Sequence, residues 1–280
     1  MQRHITAGVD GSRESVDAAD WAAREAVRRG LPLHLLHVDD EPTPPTGLPE
    51  LDVPGARERT ALDRVTVQLA QCHPGLEIHP VVAPGPPTAT ILEAAATSEM
   101  LVLGSRGFTG CAAFLVGSVA LQAAARAAGP VVLVRAGECP EGERQGGSGT
   151  GAFRPVVLGL DLDHPCDELF AYAFDAAATR QAPLHVRHAW AVPLVPSADA
   201  VDPAAEKARA LTAALARWRR KFPETEVVER TVHGRAGRQL VMASTRASLL
   251  VIGRRTDRLG PVAHTVIHHV LCPVAVVPHE

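Results

Sequence analysis

The chain has 280 residues, of which 46% are hydrophobic and 21% are charged. This composition excludes disordered, collagen-like and coiled-coil proteins, and the length predicts a globular protein of about two domains. Lys and Arg number 28 against 31 Asp and Glu, and neither half carries a basic block, so the charge pattern argues against nucleic acid or anionic membranes as partners.

Cysteine usage and the N-terminal sequence predict a cytoplasmic protein. The cysteines form no CxxC pair or zinc-type spacing, which argues against a disulfide framework or a structural metal; they are Cys72, Cys111, Cys139, Cys166 and Cys272. The N-terminus reaches an Asp-Gly turn after too few apolar residues for a signal peptide. Residues Gly107 to Ala125 carry no charge, but their Gly, Ser, Thr and Gln content favours a buried loop and helix over a membrane span.

The sequence contains an internal repeat. GVDGS at 8–12 matches GLDLD at 159–163, and PLHLLHV at 32–38 matches PLHVRHA at 183–189, both with an offset of 151 residues. LVLGSRG at 101–107 matches LVIGRRT at 250–256, and GPVVLV at 129–134 matches CPVAVV at 272–277, with offsets of 149 and 143. Gly and Ser between the copies indicate a flexible linker. We therefore expect domains at 1–138 and 153–280, joined by residues 139–152.

Apolar runs alternate with helical patterns in each copy, which is typical of βαβ units on a parallel sheet. In the first copy the predicted strands are Ile5–Val9, Leu33–Val38, Ile78–Ala83, Leu101–Gly104 and Val131–Val134. The first helix is predicted from apolar residues at helical spacing, namely Val16, Ala19, Ala23, Ala26 and Val27, with Ser12 as its cap. Leu62, Val65 and Leu69 predict another helix, as do Leu211, Leu215, Trp218 and Phe222 in the second copy. The fold class is therefore α/β, with two tandem, doubly wound, five-stranded parallel-sheet domains.

In such a sheet a ligand binds at the carboxyl ends of the strands, where the strand order reverses. With the first strand central, this crevice lies between the first and fourth strands. Asp10 ends the first strand and is followed by Gly11 and Ser12. Its carboxylate can accept hydrogen bonds from a base or a ribose. The alternative is a structural turn, because Asp and Ser are also preferred helix caps.

A glycine-rich segment, GSRGFTGCAAFLVGSV, follows the fourth strand at 104–119. Glycines let backbone amides approach an anion closely, and Gly117 and Ser118 open a helix whose first turn has unpaired N–H groups. This arrangement suits a chain of phosphates. A tight loop without a ligand is the alternative, since a glycine-rich stretch alone is a weak signal.

Three features together resemble the ATP-binding branch of the universal stress protein family: VDGS after the first strand, HV in the second, and the spacing Gly104, two residues, Gly107, nine residues, Gly117-Ser118. The resemblance covers essentially the whole chain as a tandem. It implies that Asp10 and Val38 contact adenine, Val38 through its backbone. It places Leu103 and Gly104 beside the ribose, and it assigns the phosphates to Gly107, Gly117, Ser118 and Val119. Mg²⁺ would be held by the phosphates and not by a protein cage.

The second copy departs from this pattern. Asp163 stands for Ser12, Thr256 for Gly107 and Pro261 for Ser118, and the loop is six residues shorter. Proline has no N–H to donate to a phosphate, and Asp163 adds a negative charge. We therefore expect no ATP binding of the same kind in the second copy.

The predicted function is that of an ATP-dependent regulatory module in a stress response. No nucleophile, general base or metal triad can be assembled around the phosphates, so we expect no enzyme, although slow hydrolysis or self-phosphorylation, for example on Ser118, stays open. The alternative is a protein-interaction module without nucleotide. An enzyme on a similar sheet is a third hypothesis, but the GxGxxG and GxxxxGK motifs are absent. A homodimer and an unidentified protein partner are further expectations.

Two other features have weaker support. His264, His268 and His269 share a helical register in which positions four apart can bind a metal, but no third ligand is apparent. Cys111 lies inside the glycine-rich segment, where an apolar filler is favoured over a reactive thiol.

Overall fold

The computed structural model describes residues 3–40, 54–105, 116–147, 151–190, 203–255 and 257–279, with the backbone alone for 54–59. The chain divides into two compact units, residues 1–139 and 140–280. Each unit is a parallel sheet with helices between successive strands, so the predicted fold class is confirmed.

The first unit contains β1 (Ile5–Gly8), α1 (Arg13–Arg29), β2 (Leu33–Asp39), α2 (Pro54–Cys72), β3 (Ile78–Pro84), α3 (Pro87–Thr97), β4 (Met100–Ser105), α4 (Ser118–Arg126) and β5 (Val131–Arg135). Its strands lie in the order β3-β2-β1-β4-β5. Ile5 of β1 is level with Leu33 of β2 on one side and with Met100 of β4 on the other. The strand order therefore reverses between β1 and β4, as the sequence predicts.

The second unit contains β6 (Val156–Leu160), α5 (Asp167–Arg180), β7 (Leu184–Trp190), α6 (Pro203–Lys221), β8 (Val227–His233), α7 (Ala236–Ser244), β9 (Leu249–Arg254), α8 (Pro261–His269) and β10 (Val274–Pro278). Its strands lie in the order β10-β9-β6-β7-β8. The strand order reverses between β6 and β9, at the position equivalent to that in the first unit.

Helix α1 begins and packs largely as its sequence predicts. The Ser12 hydroxyl accepts a hydrogen bond from the Ser15 N–H at 3.2 Å, which confirms the predicted cap. The buried arc of α1 includes Ala19, Trp21 and Ala26. The apolar spacing predicts that Val27 also belongs to this arc, but Val27 is 53% exposed. Its position on the helical wheel lies just beyond the edge of the buried arc.

Among the described residues, no helix is both long enough and apolar enough to cross a bilayer. The charge-free stretch at 107–125 contributes most of α4, which has nine residues. The loop predicted before this helix lies outside the described residues.

The segment between the repeats makes more contacts than a flexible linker requires. Arg144 pairs with Phe153 in an antiparallel bridge, and its guanidinium lies 4.0 Å from the centre of the Phe153 ring. The Arg154 N–H donates to the Glu143 carbonyl at 2.8 Å, and Glu143 is buried. These contacts join both ends of the Gly/Ser-rich stretch to each other within the second unit.

Three histidines meet across the first three strands. The His34 ring stacks on His4 at a centroid distance of 3.9 Å, and the His79 ring approaches it edge-on at 5.1 Å. Burial and then the neighbouring His4 and His79 lower the pKa of His34, and Glu77 opposes this only in part. The equivalent residue of the second unit, His185, also has a lowered pKa, caused by burial and then by Arg187 and Arg230.

These lowered pKa values predict acid sensitivity. A histidine whose folded pKa lies below its unfolded value of about 6.5 binds more protons in the unfolded chain. The free energy of unfolding therefore decreases as pH falls below about 6.5, until the folded pKa is passed. We expect His34→Gln to reduce this decrease in urea titrations at pH 7.5 and 5.5, and His185→Gln to do the same. A decrease as steep as the parent's in both variants would contradict this account.

Candidate functional site

A crevice of about 240 Å³ opens where the strand order of the first unit reverses. Its lining residues come from the ends of β1, β2 and β4 and from α3 and α4, and they are Gly8, Val9, Asp10, Leu36, His37, Val38, Asp40, Pro87, Ile91, Leu103 and Val119. Ligands bind at this position in open parallel sheets.

Four of the predicted site residues, Asp10, Val38, Leu103 and Val119, lie together in this lining. Gly104 follows Leu103 at the end of β4, and Gly117 and Ser118 stand at the start of α4, next to Val119. These three lie beside the crevice but do not line it. Gly107 lies outside the described residues.

Asp10 takes part in a turn as well as in the crevice. Its Oδ1 accepts from the Ser12 N–H at 3.0 Å and from the Ser12 hydroxyl, and its own N–H donates to Ser15 Oγ at 3.3 Å. Gly11 has a φ of +80°, a conformation that favours glycine. The structural reading of Asp-Gly-Ser is therefore correct, and the exposed carboxylate still faces the crevice.

His37 is a lining residue that the sequence analysis did not assign to the site. It is 4% exposed, and its Nδ1 lies 3.0 Å from the Val9 carbonyl. A carbonyl oxygen only accepts, so Nδ1 carries the proton and the contact joins the ends of β1 and β2. The second unit repeats this contact from His188 Nδ1 to the Leu160 carbonyl at 3.1 Å. The sequence signal for this contact is the histidine that recurs at the same place in the repeat, in HV at 37–38 and in HA at 188–189.

Gly104 has a packing role. A Cβ at this position would lie 2.6 Å from the Glu14 carbonyl carbon and 2.7 Å from the Ser15 nitrogen. Such distances are too short for a side chain, so glycine is what allows α1 to approach β4 this closely. Leu103, one residue earlier, points to the opposite face of the strand and into the crevice.

The backbone conformation at residue 117 does not require glycine. Its φ is −60°, and a Cβ there would meet no atom of the described residues within 4 Å. The first turn of α4 has no side-chain cap, so its N–H groups can donate to a ligand. The absence of a side chain at Gly117 therefore keeps space open at this helix start.

The lining of the first crevice is acidic. Asp10 and Asp40 are its two carboxylates, and Lys and Arg do not occur among its described residues. A polyanion in this crevice would need backbone amides or a cation to offset the two carboxylates.

The crevice of the second unit differs in size and charge. It measures about 400 Å³, and its lining includes the arginines Arg187, Arg254, Arg255 and Arg258. Its carboxylate, Asp161, accepts from the Asp163 N–H at 3.1 Å and contacts His164 Nδ1 at 3.1 Å. Burial, the largest effect, would raise the pKa of Asp161, but the hydrogen bonds from Asp163 and His164 and the nearby charges of His164 and Arg255 together outweigh it and hold the pKa below its usual range.

The sequence predicts that Asp163 adds a negative charge that would repel phosphates, but in the structure this carboxylate has a cationic partner. Lys207 Nζ lies 3.3 Å from Asp163 Oδ1, and this ion pair offsets the charge. The start of α8 differs from the start of α4 as the sequence predicts. Helix α8 begins at Pro261, which has no N–H, and its N-cap residue is Gly260, with a φ of −68°.

Two of the three histidines that share a register on α8 lie close together. The rings of His264 and His268 have centroids 4.5 Å apart. Within the described ranges, no group of three or more His, Cys, Asp or Glu side chains could hold a metal ion.

Comparisons with known proteins agree with one another. The model of the universal stress protein family matches residues 1–135 and again 152–278. A universal stress protein of Mycobacterium tuberculosis is 32% identical over 292 residues, covering 98% of this chain and 97% of the relative. One from Mycolicibacterium smegmatis is 29% identical, with coverages of 98% and 96%.

Solved structures show the same fold along the whole chain. A universal stress protein from Archaeoglobus fulgidus aligns with a TM-score of 0.67 at 17% identity, covering 99% of this chain and 98% of that one. A Pseudomonas aeruginosa structure described as a putative universal stress protein aligns with a TM-score of 0.62 at 16% identity, with coverages of 99% and 93%.

The close approach at Gly104 predicts a stability defect. We expect Gly104→Ala to lower the free energy of unfolding by about 1–3 kcal/mol, because the backbone of α1 must shift to admit the methyl group. The matched control is Gly75→Ala, where a Cβ meets no atom within 4 Å and the change stays within about 0.5 kcal/mol. Chemical denaturation measures both, and equal stability of the two variants would refute the packing role.

Proposed function

The chain belongs to the universal stress protein family, and on that premise we propose that its first unit binds ATP between β1 and β4 and works as a nucleotide-dependent regulatory module. The observation that carries this proposal is that Asp10, Val38, Leu103 and Val119, distant in sequence, line one crevice. The crevice lies where parallel sheets of this kind accept ligands.

The base would bind at the β1 and β2 side of the crevice. The Val38 backbone offers an N–H and a carbonyl to the edge of adenine, and the Asp10 carboxylate accepts from an amine or a hydroxyl. Leu103 and Ile91 supply apolar walls, which suit a flat ring. The ribose would follow toward Leu103 and Gly104.

The phosphates would bind at the start of α4. N–H groups of its first turn and the Ser118 hydroxyl can donate to them, and Gly117 leaves room for close approach. Gly107, which lies outside the described residues, is proposed to contact them as well. Asp10 and Asp40 make the described lining acidic, so a cation favours a triphosphate there. Mg²⁺ fits this setting, because it prefers oxygen ligands and is commonly held by phosphates. When bound, Mg²⁺ would neutralise part of the phosphate charge.

The proposed role is binding and not turnover. Ser12 occupies one oxygen of Asp10, and the Val9 carbonyl fixes the Nδ1 proton of His37, so both groups already have structural tasks. Nucleotide occupancy would then regulate by differential affinity for two states of the protein. The proposal includes a cytoplasmic homodimer that acts on an unidentified protein partner, and slow hydrolysis or self-phosphorylation stays compatible with it.

The repeat supplies a matched pair of variants. Gly117 and Gly260 both precede helices, both have φ near −65°, and a Cβ at either meets no atom within 4 Å. We expect Gly117→Ala to weaken ATP binding at least about tenfold, which is ~1.4 kcal/mol, because its methyl group meets the phosphates. Gly260→Ala should bind like the parent, and calorimetry should give one ATP for each chain.

Three outcomes would contradict the proposal. Two equivalent ATP sites for each chain would show that the second unit binds nucleotide in the same way. Parental affinity in Gly117→Ala would remove the phosphates from the start of α4. Absence of ATP binding by the parent would favour the interaction module without nucleotide.

A further inference from the structure

The second crevice contains arginines from separate parts of the fold. Arg187 lies on β7, Arg254 ends β9, and Arg255 and Arg258 follow β9. All four line the crevice, and Asp161 is the one carboxylate among its described lining residues. The two oxygens of Asp161 already interact with Asp163 and His164. The lining therefore has an excess of positive charge.

Two of the four arginines have no basic counterpart in the first unit. At the offset of 151 residues, Arg187 corresponds to Leu36, and at the offset of 149 residues, Arg254 corresponds to Ser105. Leu36 lines the first crevice, whose described residues include two carboxylates and neither Lys nor Arg. Arg255 corresponds to Arg106, which lies outside the described residues. The described linings of the two crevices therefore differ in charge at the positions of Arg187 and Arg254.

Two of these arginines, Arg187 and Arg254, are partly desolvated, whereas Arg255 and Arg258 are exposed. Burial and then Arg230 lower the pKa of Arg187, and burial lowers the pKa of Arg254 against the opposing effect of Asp257. The Nε of Arg187 is buried and has no hydrogen-bond partner among the described residues. Buried donors without partners are rare and costly, and an anion that accepts from them would stabilise the site.

The rest of the lining limits the ligand. Leu160, Leu169, Leu240 and Ile252 add apolar surface to a volume of about 400 Å³, which is more than a bare inorganic ion fills. The loop after β9 is six residues shorter than its counterpart, and Pro261 gives no N–H. These features suit one anionic group on an apolar body and not a chain of phosphates.

We propose that the second unit binds an organic phosphomonoester, with its phosphoryl group held by Arg187 and Arg255 and its apolar body packed against Leu240 and Ile252. Guanidinium groups match phosphate oxygens with paired hydrogen bonds. A dianion balances the excess of arginine better than a carboxylate does. This site is independent of the ATP site proposed for the first unit.

Phenyl phosphate tests this proposal, because it combines one phosphoryl group with an apolar ring and has no adenine. Calorimetry on the full chain should give one saturable site, with benzoate at least tenfold weaker and phenol without measurable binding. Arg255→Gln and Arg187→Gln should each weaken phenyl phosphate about tenfold, since each removes a charge-assisted hydrogen bond. Arg255 is exposed, so its variant stays informative if Arg187→Gln unfolds.

The control is Arg238→Gln, which removes an equal charge at an exposed position of α7 that does not line the crevice and should bind like the parent. Parental affinity in Arg255→Gln, loss of affinity in Arg238→Gln, or benzoate binding as tight as phenyl phosphate would each overturn the proposal. Gly117→Ala should bind phenyl phosphate normally. Loss of ATP binding alone would therefore refute the first proposal and leave this one standing.

Discussion

The structure of the first unit depends on the close contact between a helix backbone and a residue without a side chain. Gly104 near the end of β4 lies under Glu14 and Ser15, so α1 can rest directly on the central strands. The position of α1 fixes the turn of Asp10 and Ser12, and that turn forms one wall of the crevice. The equivalent Gly253 of the second unit is also closely packed, but against side chains and not a helix backbone: a Cβ there would lie 2.7 Å from His279 Cδ2 and 2.8 Å from Leu169 Cδ1. Packing thus places the carboxyl ends of the strands before any ligand is considered.

The two repeats share the same arrangement of strands and helices but differ in the side chains that line their crevices. The histidine that ties two strand ends together recurs with nearly the same distance to its carbonyl partner in His37 and His188. Around it, the described lining of the first crevice carries two carboxylates, whereas the second crevice is lined by arginines and its helix begins at proline. Positions that support the backbone were kept, while lining positions accepted leucine in one unit and arginine in the other. Loss of one binding pattern therefore need not leave the second unit without a ligand.

Local patterns in the sequence were sufficient for the fold. Apolar runs located the strands, and Ser12 was recognised as a cap because capping involves residues three apart. The site was only partly predictable, because its remaining walls come from long-range packing. Pro87 and Ile91 reach the crevice from α3, and nothing in their own segment says which face of α3 meets β1. The ion pair of Asp163 could not be predicted for the same reason, because its partner Lys207 is 44 residues away.

The bridge between Arg144 and Phe153 also matters for how these units can be separated or exchanged. Glu143 is buried, and its carbonyl accepts from the Arg154 N–H immediately before β6. A truncation that starts at β6 would strip this short arm from the unit and expose groups that it covers. The chain is therefore best divided close to residue 140, upstream of the Gly/Ser-rich stretch. This boundary suits expression of either half alone and recombination of halves among tandem relatives.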